Sequence, residues 1–96
     1  MAAVTYVLVA RIPAAGVEDF QRYEEAVLPL LAEHGGRLAR RLRSASGGIE
    51  VHVVEFASPG AFSAYRADPR RAVHHPLLEA SGAETELLEL EDVGHF

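Results

Sequence analysis

One histidine in the sequence stands where it could transfer protons. His52 lies in the middle of the segment Ile49–Phe56 (IEVHVVEF), between two valines. An imidazole titrates near neutral pH, so a histidine in a pocket can act as a general acid or base. The alternative is a core histidine bonded to a tyrosine or a backbone carbonyl, because a buried polar group needs a partner. The residues alone leave both roles open.

A second candidate group lies in residues 68–78 (DPRRAVHHPLL), where arginines, histidines and prolines are adjacent. Neighbouring residues on a helix point about 100° apart, so His74 and His75 cannot both face one pocket. The spacing does not decide which of them does. Arg71 or His75 could stabilise the negative charge of a developing enolate. The alternative for Arg70 and Arg71 is a place at the rim of a subunit interface.

Two tyrosines complete the candidate groups. Tyr23 and Tyr65 lie on the apolar stripes of predicted helices, which favours a core position, although either hydroxyl could reach a pocket. Tyr65 would then be an orienting hydrogen-bond donor. No ligand spacing involving His52, His75 and a carboxylate points to a metal site. Haem would need one axial histidine and a roomy pocket. We therefore expect no cofactor.

The composition favours a single domain that spans residues 1–96. Of these residues, 49% are hydrophobic, none is cysteine, and the net charge is −5. A negative chain is a poor ligand for nucleic acid, and the missing cysteines exclude disulfides and thiolate chemistry. No apolar run approaches the about 20 residues of a membrane helix, and residues 1–12 lack the basic start and the cleavage-site pattern of a secretory signal. We expect a cytoplasmic protein without nucleic-acid or membrane partners.

One basic run interrupts this acidic composition. Residues 37–43 (RLARRLR) alternate arginine with apolar residues, which is typical of a solvated or salt-bridged strand. The acidic residues of the segment 84–92 are the expected electrostatic counterpart. The alternative is an anion-binding surface.

Hydrophobic periodicity predicts the elements that position these groups. In order, they are a strand over residues 4–12, a helix over residues 17–34, strands over residues 37–43 and 49–56, a helix from Ser58 to about Ala80, and a strand over residues 83–93. Pro29 predicts a kink near Glu25 or Ala26, because its ring crowds the preceding turn. Pro69 predicts a break at Asp68.

This order, βαββαβ, predicts an α+β fold of the ferredoxin-like type, with a four-stranded antiparallel sheet and two helices on one face. The first and third strands are apolar on both sides, so the face without helices would expose a large apolar patch. A second copy is the simplest cover, and we expect a homodimer with the two sheets face to face. Glu55 lies on that face, where an ion pair with an arginine of the other subunit is expected.

Several segments carry a family resemblance: YVLVARI, YEEAVLPLLAEHGGRLARR, VVEFASPGAFSAYRADP and ETELLEL. With these, the chain resembles the dimeric α/β-barrel superfamily over nearly its whole length. It is close to a small uncharacterised bacterial family and more distantly similar to the antibiotic-biosynthesis monooxygenases. The resemblance implies a homodimer and a small-molecule pocket between the sheet and the helices.

The resemblance also implies pocket residues. By motif position these are His52, Phe56, Phe62 or Tyr65, and His75, while a tryptophan of the monooxygenases is absent here. In the cyclase branch a catalytic histidine follows the helix-breaking proline, and Arg71 is nearest to that position. Adding the residues weighed above, the expected catalytic residues are His52, Tyr65 and His75. The expected substrate-binding residues are Phe56, Phe62, Arg71 and Tyr23.

Two functions remain open at this point. The first is a cofactor-independent enzyme, with monooxygenase, isomerase or cyclase-like proton-transfer chemistry on an aromatic or polyketide-like substrate. The second is a non-catalytic ligand-binding or structural dimer. An enclosed cavity of roughly 300 Å³ or more beside His52 favours the first, whereas aromatic side chains packed solidly around this histidine favour the second.

Overall fold

The computed structural model describes residues 3–94. Its strands and helices are β1 (Val4–Arg11), α1 (Val17–Val27), β2 (Gly36–Arg43), β3 (Ile49–Phe56), α2 (Pro59–Arg66), α3 (Pro69–Val73), α4 (His75–Ser81) and β4 (Glu84–Leu90). Short 3-10 turns precede and follow α1, at Ala14–Gly16, Leu28–Leu30 and Ala32–His34. Each predicted strand is present, and the last one ends at Leu90 rather than at Val93.

The four strands form one antiparallel sheet in the order β2-β3-β1-β4. The helices pack on one face of this sheet, so the predicted ferredoxin-like α+β fold is confirmed. In the register of the sheet, His52 of β3 lies between Leu8 of β1 and Arg41 of β2. The central strands therefore place His52 near the middle of the sheet.

Alternation along β3 divides its side chains between the two faces of the sheet. Glu50, His52, Val54 and Phe56 are buried on the helix side. One core cluster joins Val54 and Phe56 to Tyr6, Leu30, Leu31 and Tyr65, and a second joins Ala10, Ile12 and Phe20. The apolar stripes of the helices thus cover both ends of the sheet face. In the register of the sheet, His52 lies between these two core clusters.

The first helix ends differently from the prediction. Regular α-helix continues to Val27, and the chain then passes into the 3-10 turn that contains Pro29. The predicted kink near Glu25 or Ala26 is therefore wrong in position. The proline lacks an N–H and fits the first turn of a new helical segment, where that donor has no intrahelical partner.

The second helical region is broken twice. Ser58 begins α2 by accepting a hydrogen bond from the backbone N–H of Ala61 at 3.1 Å. The predicted break at Asp68 is present, and a further break at His74 separates α3 from α4. Val73 at the end of α3 is 72% exposed, whereas Leu77 and Leu78 of α4 are half-buried. One continuous buried stripe therefore does not run through α3 and α4.

In the part of the chain that the structure describes, no helix covers the other face of the sheet. Its centre consists of half-buried valines from β1 and β3, namely Val7, Val9, Val51 and Val53. Leu42, Ile49, Leu88 and Leu90 extend this apolar surface and are 37 to 47% exposed. This surface is called the open face below. It has the apolar character that the sequence predicted.

Three of the four arginines of β2 pair with acidic residues of β3. Arg41 and Arg43 form ion pairs with Glu50, and Arg37 pairs with Glu55. The acidic segment 84–92 was expected to be their counterpart, but β4 lies at the opposite edge of the sheet from β2. Glu55 likewise pairs within its own chain, and the expected pair across an interface stays a prediction. Antiparallel neighbours place opposite charges directly side by side.

Candidate active site

A cavity of about 360 Å³ lies between the sheet and the helices. Six of the seven residues expected in a site line it: Tyr23, His52, Phe62, Tyr65, Arg71 and His75. Glu24, Leu8 and Leu87 also contribute to its wall. Polar groups therefore converge on a largely apolar cavity, which is the usual composition of a small-molecule site.

Phe56 is the expected site residue that does not line the cavity. It is 1% exposed and packs against the rings of Tyr6, Phe62 and Tyr65. Its position at the end of β3 places it in the core cluster beside the cavity. Phe56 therefore supports the aromatic wall and has no surface there for a ligand.

His52 is anchored by a buried carboxylate. Its side chain is 3% exposed, and its Nε2 atom lies 2.7 Å from Oε1 of Glu50. Glu50 in turn accepts hydrogen bonds from Nε of Arg41 at 2.8 Å and from Nε of Arg43 at 3.0 Å. Burial alone would raise the pKa of Glu50, but the hydrogen bonds from these arginines and from His52 outweigh it and lower the pKa. Glu50 is therefore a carboxylate at neutral pH.

This anchor determines which nitrogen of His52 carries the proton. A carboxylate only accepts hydrogen bonds, so Nε2 of His52 must be the donor. Burial lowers the pKa of His52, and this effect exceeds the opposing influence of Glu50. The imidazole is thus neutral at neutral pH, with an unprotonated Nδ1 atom. A lone pair on Nδ1 is the feature that a general base requires.

Glu24 stands on the other side of the imidazole. Its Oε2 atom lies 3.6 Å from Nδ1 of His52, and its side chain is 5% exposed. Burial, followed by repulsion from Glu50, raises the pKa of Glu24 to about 7. Two titratable groups therefore face each other at the cavity wall.

Arg71 contacts both tyrosines of the cavity, Tyr23 and Tyr65. Its Nη2 atom donates a hydrogen bond to the hydroxyl of Tyr23 at 3.1 Å. Its guanidinium carbon lies 4.5 Å from the centre of the Tyr65 ring, which is a cation–π distance. Burial raises the pKa of Tyr65 to about 12, against a lowering influence of Arg71. Both phenols are protonated at neutral pH and can donate hydrogen bonds.

The broken helix places the remaining groups. Asp68 caps α3 by accepting from the backbone N–H of Arg70 at 2.9 Å, and His34 lies 2.8 Å from its other oxygen. Hydrogen bonds from the Arg70 side chain, then from His34, hold the pKa of Asp68 well below its usual range. The second break lets His75 line the cavity, whereas His74 does not. Only the family resemblance had favoured His75.

The sequence interpretation missed Glu24, Glu50, Arg41 and Arg43 as site residues. A signal for two of them was present. Glu50 is two positions before His52 on the same face of a predicted strand. Glu24 follows Phe20 by four positions and precedes Val27 by three, so it shares their buried helix face. An acidic residue on a buried stripe is a marker for a site.

Two further features of the described residues bear on cofactors and membranes. Within residues 3–94, no group of three His, Asp or Glu side chains is arranged to hold a metal ion. No helix in this part of the chain is long and apolar enough to cross a membrane.

Solved structures share this architecture. SnoaB, a cofactor-independent oxygenase from Streptomyces nogalater, is 22% identical, with a TM-score of 0.67 and 97% coverage of both chains. A Bacteroides thetaiotaomicron protein provisionally assigned as an antibiotic biosynthesis monooxygenase is 13% identical, with a TM-score of 0.79 and coverage of 95% of this chain and 90% of that one. Rv0793 from Mycobacterium tuberculosis is 18% identical, with a TM-score of 0.76 and 98% coverage of both chains.

These similarities define the class of the fold. The chain shares its ferredoxin-like α+β fold with these solved structures, whose names include antibiotic biosynthesis monooxygenases and a cofactor-independent oxygenase. At these identities the likeness concerns the fold alone. No protein-family model matches the chain, and no curated protein matches it.

Proposed function

We propose that the chain binds a small aromatic or polyketide-like molecule in the cavity and acts on it without a cofactor. The chemistry is proton transfer, as in a monooxygenase, isomerase or cyclase-like reaction. One observation carries the proposal: a cavity of about 360 Å³ touches the buried His52. Nε2 of this histidine is hydrogen-bonded to Glu50, and its Nδ1 is unprotonated. The alternative, a structural dimer, requires side chains packed solidly around His52. The cavity beside His52 does not meet this requirement.

The residues of the cavity suit separate steps of such a reaction. Nδ1 of His52 removes a proton from the bound molecule, since its lone pair is free. The hydroxyl of Tyr65 orients the substrate as a hydrogen-bond donor. Arg71 or His75 stabilises the negative charge that develops on a substrate oxygen. Tyr23 and Phe62 supply wall contacts with the aromatic ring.

The volume of the cavity limits the substrate. Small-molecule sites range from about 300 to 1,000 Å³, so this cavity is near the lower limit. A one- or two-ring molecule suits it. The similarity in fold to SnoaB, a cofactor-independent oxygenase, supports oxygenation as one form of the chemistry.

A panel of phenols and quinones tests the proposal. Crystals soaked with each compound should show it bound between His52 and Arg71, and a solution assay should show that at least one is consumed. Binding without consumption would favour the alternative, a non-catalytic ligand-binding dimer. If no compound enters the cavity, the proposed function is wrong.

We also propose that two copies pair through the open face. A contiguous apolar sheet surface is unusual on a soluble monomer, and a twofold pair buries the same residues on both copies. Light scattering at low micromolar concentration should give the mass of two chains. Val53→Arg at the centre of the open face should give one chain, whereas Val73→Arg on α3 should leave the mass unchanged. A wild-type mass of one chain would contradict the proposal.

A further inference from the structure

Glu24 is a buried carboxyl group without a hydrogen-bond partner among residues 3–94. The residue is 4% exposed, and it lines the cavity. Its nearest basic atom is Nδ1 of His52 at 3.6 Å, which is beyond hydrogen-bond distance. Buried polar groups are normally satisfied. A carboxyl group in this position lacks a donor.

The neighbouring histidine cannot supply that donor. Arg41 and Arg43 keep Glu50 ionised, and Glu50 accepts the proton of Nε2 of His52. Nδ1 is therefore an acceptor. When Glu24 is ionised, two acceptors face each other, and the group that satisfies both is a donor placed between them.

We propose that Glu24 and Nδ1 of His52 form a pair of acceptors that binds the hydroxyl group of the ligand, so that the cavity selects phenols and enols over their ethers. This inference rests on the proposed function and assigns to it a substrate class and a further specificity-determining residue. The hydroxyl hydrogen lies between the two acceptors. This position also presents the ligand proton to His52.

Several charged and titratable groups surround Glu24. His52 and Glu50 face it from β3, Arg41 from β2, Tyr65 from α2 and Arg71 from α3. Tyr23 is its neighbour on α1, and His75 from α4 lines the same cavity. Burial and the charge of Glu50 together raise the pKa of Glu24 to about 7, against Arg41 and Arg71. The acceptor pair is therefore complete above about pH 7.

The test compares 1-naphthol with 1-methoxynaphthalene, which has no hydroxyl hydrogen. The naphthol hydroxyl stays protonated between about pH 6 and pH 8, much as a tyrosine hydroxyl does. At the upper end of this range, wild-type protein should bind naphthol roughly tenfold or more tightly than the ether, since hydrogen bonds to charged groups are strong. Naphthol affinity should fall as the pH drops through 7. Calorimetric titration measures both ligands.

Glu24→Gln is the decisive variant. It should lose the change of affinity between about pH 6 and pH 8, because an amide does not titrate. Its preference for naphthol should fall, because a carboxylate is a stronger acceptor than an amide oxygen. Equal affinities for the two ligands in wild-type protein, or an undiminished preference in Glu24→Gln, would overturn the inference while ligand binding itself stands. If neither ligand binds, the proposed function fails for aromatic ligands, and this inference fails with it.

A second measurement needs no ligand. The unfolded chain ionises Glu24 near its ordinary pKa of 4.5, whereas the folded chain keeps the proton up to about 7. Wild-type stability should therefore fall relative to Glu24→Gln as the pH rises from 4.5 to 7. Glu25→Gln, at the exposed neighbouring position, should show no such change. Parallel pH profiles for wild type and Glu24→Gln would mean that Glu24 has a partner, which also overturns the inference.

Discussion

Replacement of His52 by glutamine is expected to lower turnover by roughly 10²- to 10⁴-fold, the usual contribution of a general acid or base. Glutamine retains an N–H donor that can reach Glu50. It lacks a lone pair of comparable basicity to Nδ1. The substitution thus removes the proton acceptor and keeps the anchor, so a loss of rate would reflect chemistry and not unfolding.

The rate is measured on the phenol or quinone that wild-type protein consumes fastest, at saturating concentration. His74→Gln is the matched control, because His74 is next to the cavity residue His75 in sequence and does not line the cavity. Circular dichroism and light scattering show whether both variants remain folded and assembled. An unchanged rate in His52→Gln would show that the imidazole has no part in proton transfer.

Replacement of Glu50 by alanine is expected to lower the free energy of unfolding by about 3 kcal/mol or more. The Glu50 side chain is fully buried and accepts hydrogen bonds from Arg41, Arg43 and His52. Removing one member of a buried ion pair typically costs about 3–5 kcal/mol, because its partner is left without compensation. The expected loss lies at the lower end of this range, since the Arg43 side chain is 40% exposed and can turn towards water.

Urea unfolding at a fixed chain concentration measures this loss as a shift of the midpoint at constant slope. Glu55→Ala is the matched control on the same strand. Glu55 pairs with Arg37 on the open face, and both side chains of that pair are more exposed than Glu50. An exposed pair contributes about 0–1 kcal/mol. Equal losses in the two variants would show that burial does not strengthen the Glu50 network.

Local patterns were enough to predict the fold. Alternation in β1 and β3, the capping Ser58 and the prolines at 59 and 69 each act within a few residues. The order of elements then leaves the ferredoxin-like sheet as the compact arrangement. The kink expected from Pro29 was misplaced, because a proline can begin a new helical turn. The second break, at His74, was not predicted.

The site was predictable only in part. Six expected residues line the cavity. The residue types and the buried positions of Tyr23, His52 and Tyr65 are local properties, whereas only the family resemblance favoured His75, which is exposed. Phe56 fills the core beside the cavity, although its pattern is the same as that of His52 on the same strand. The depth of a side chain below a helix depends on neighbours that are distant in sequence.

Taken alone, the sequence determined the order of elements, the two faces of each strand and the histidine at the centre of the sheet, because periodicity and turn chemistry act over short distances. Tertiary structure decided the pairing of charges. The strand order places the acidic β4 at the edge opposite β2 and places Glu50 within hydrogen-bond distance of Arg41. The packing of α1 on the sheet brings Glu24 close to Nδ1 of His52. Coulomb interactions and desolvation depend on distance in space, and strand order sets these distances.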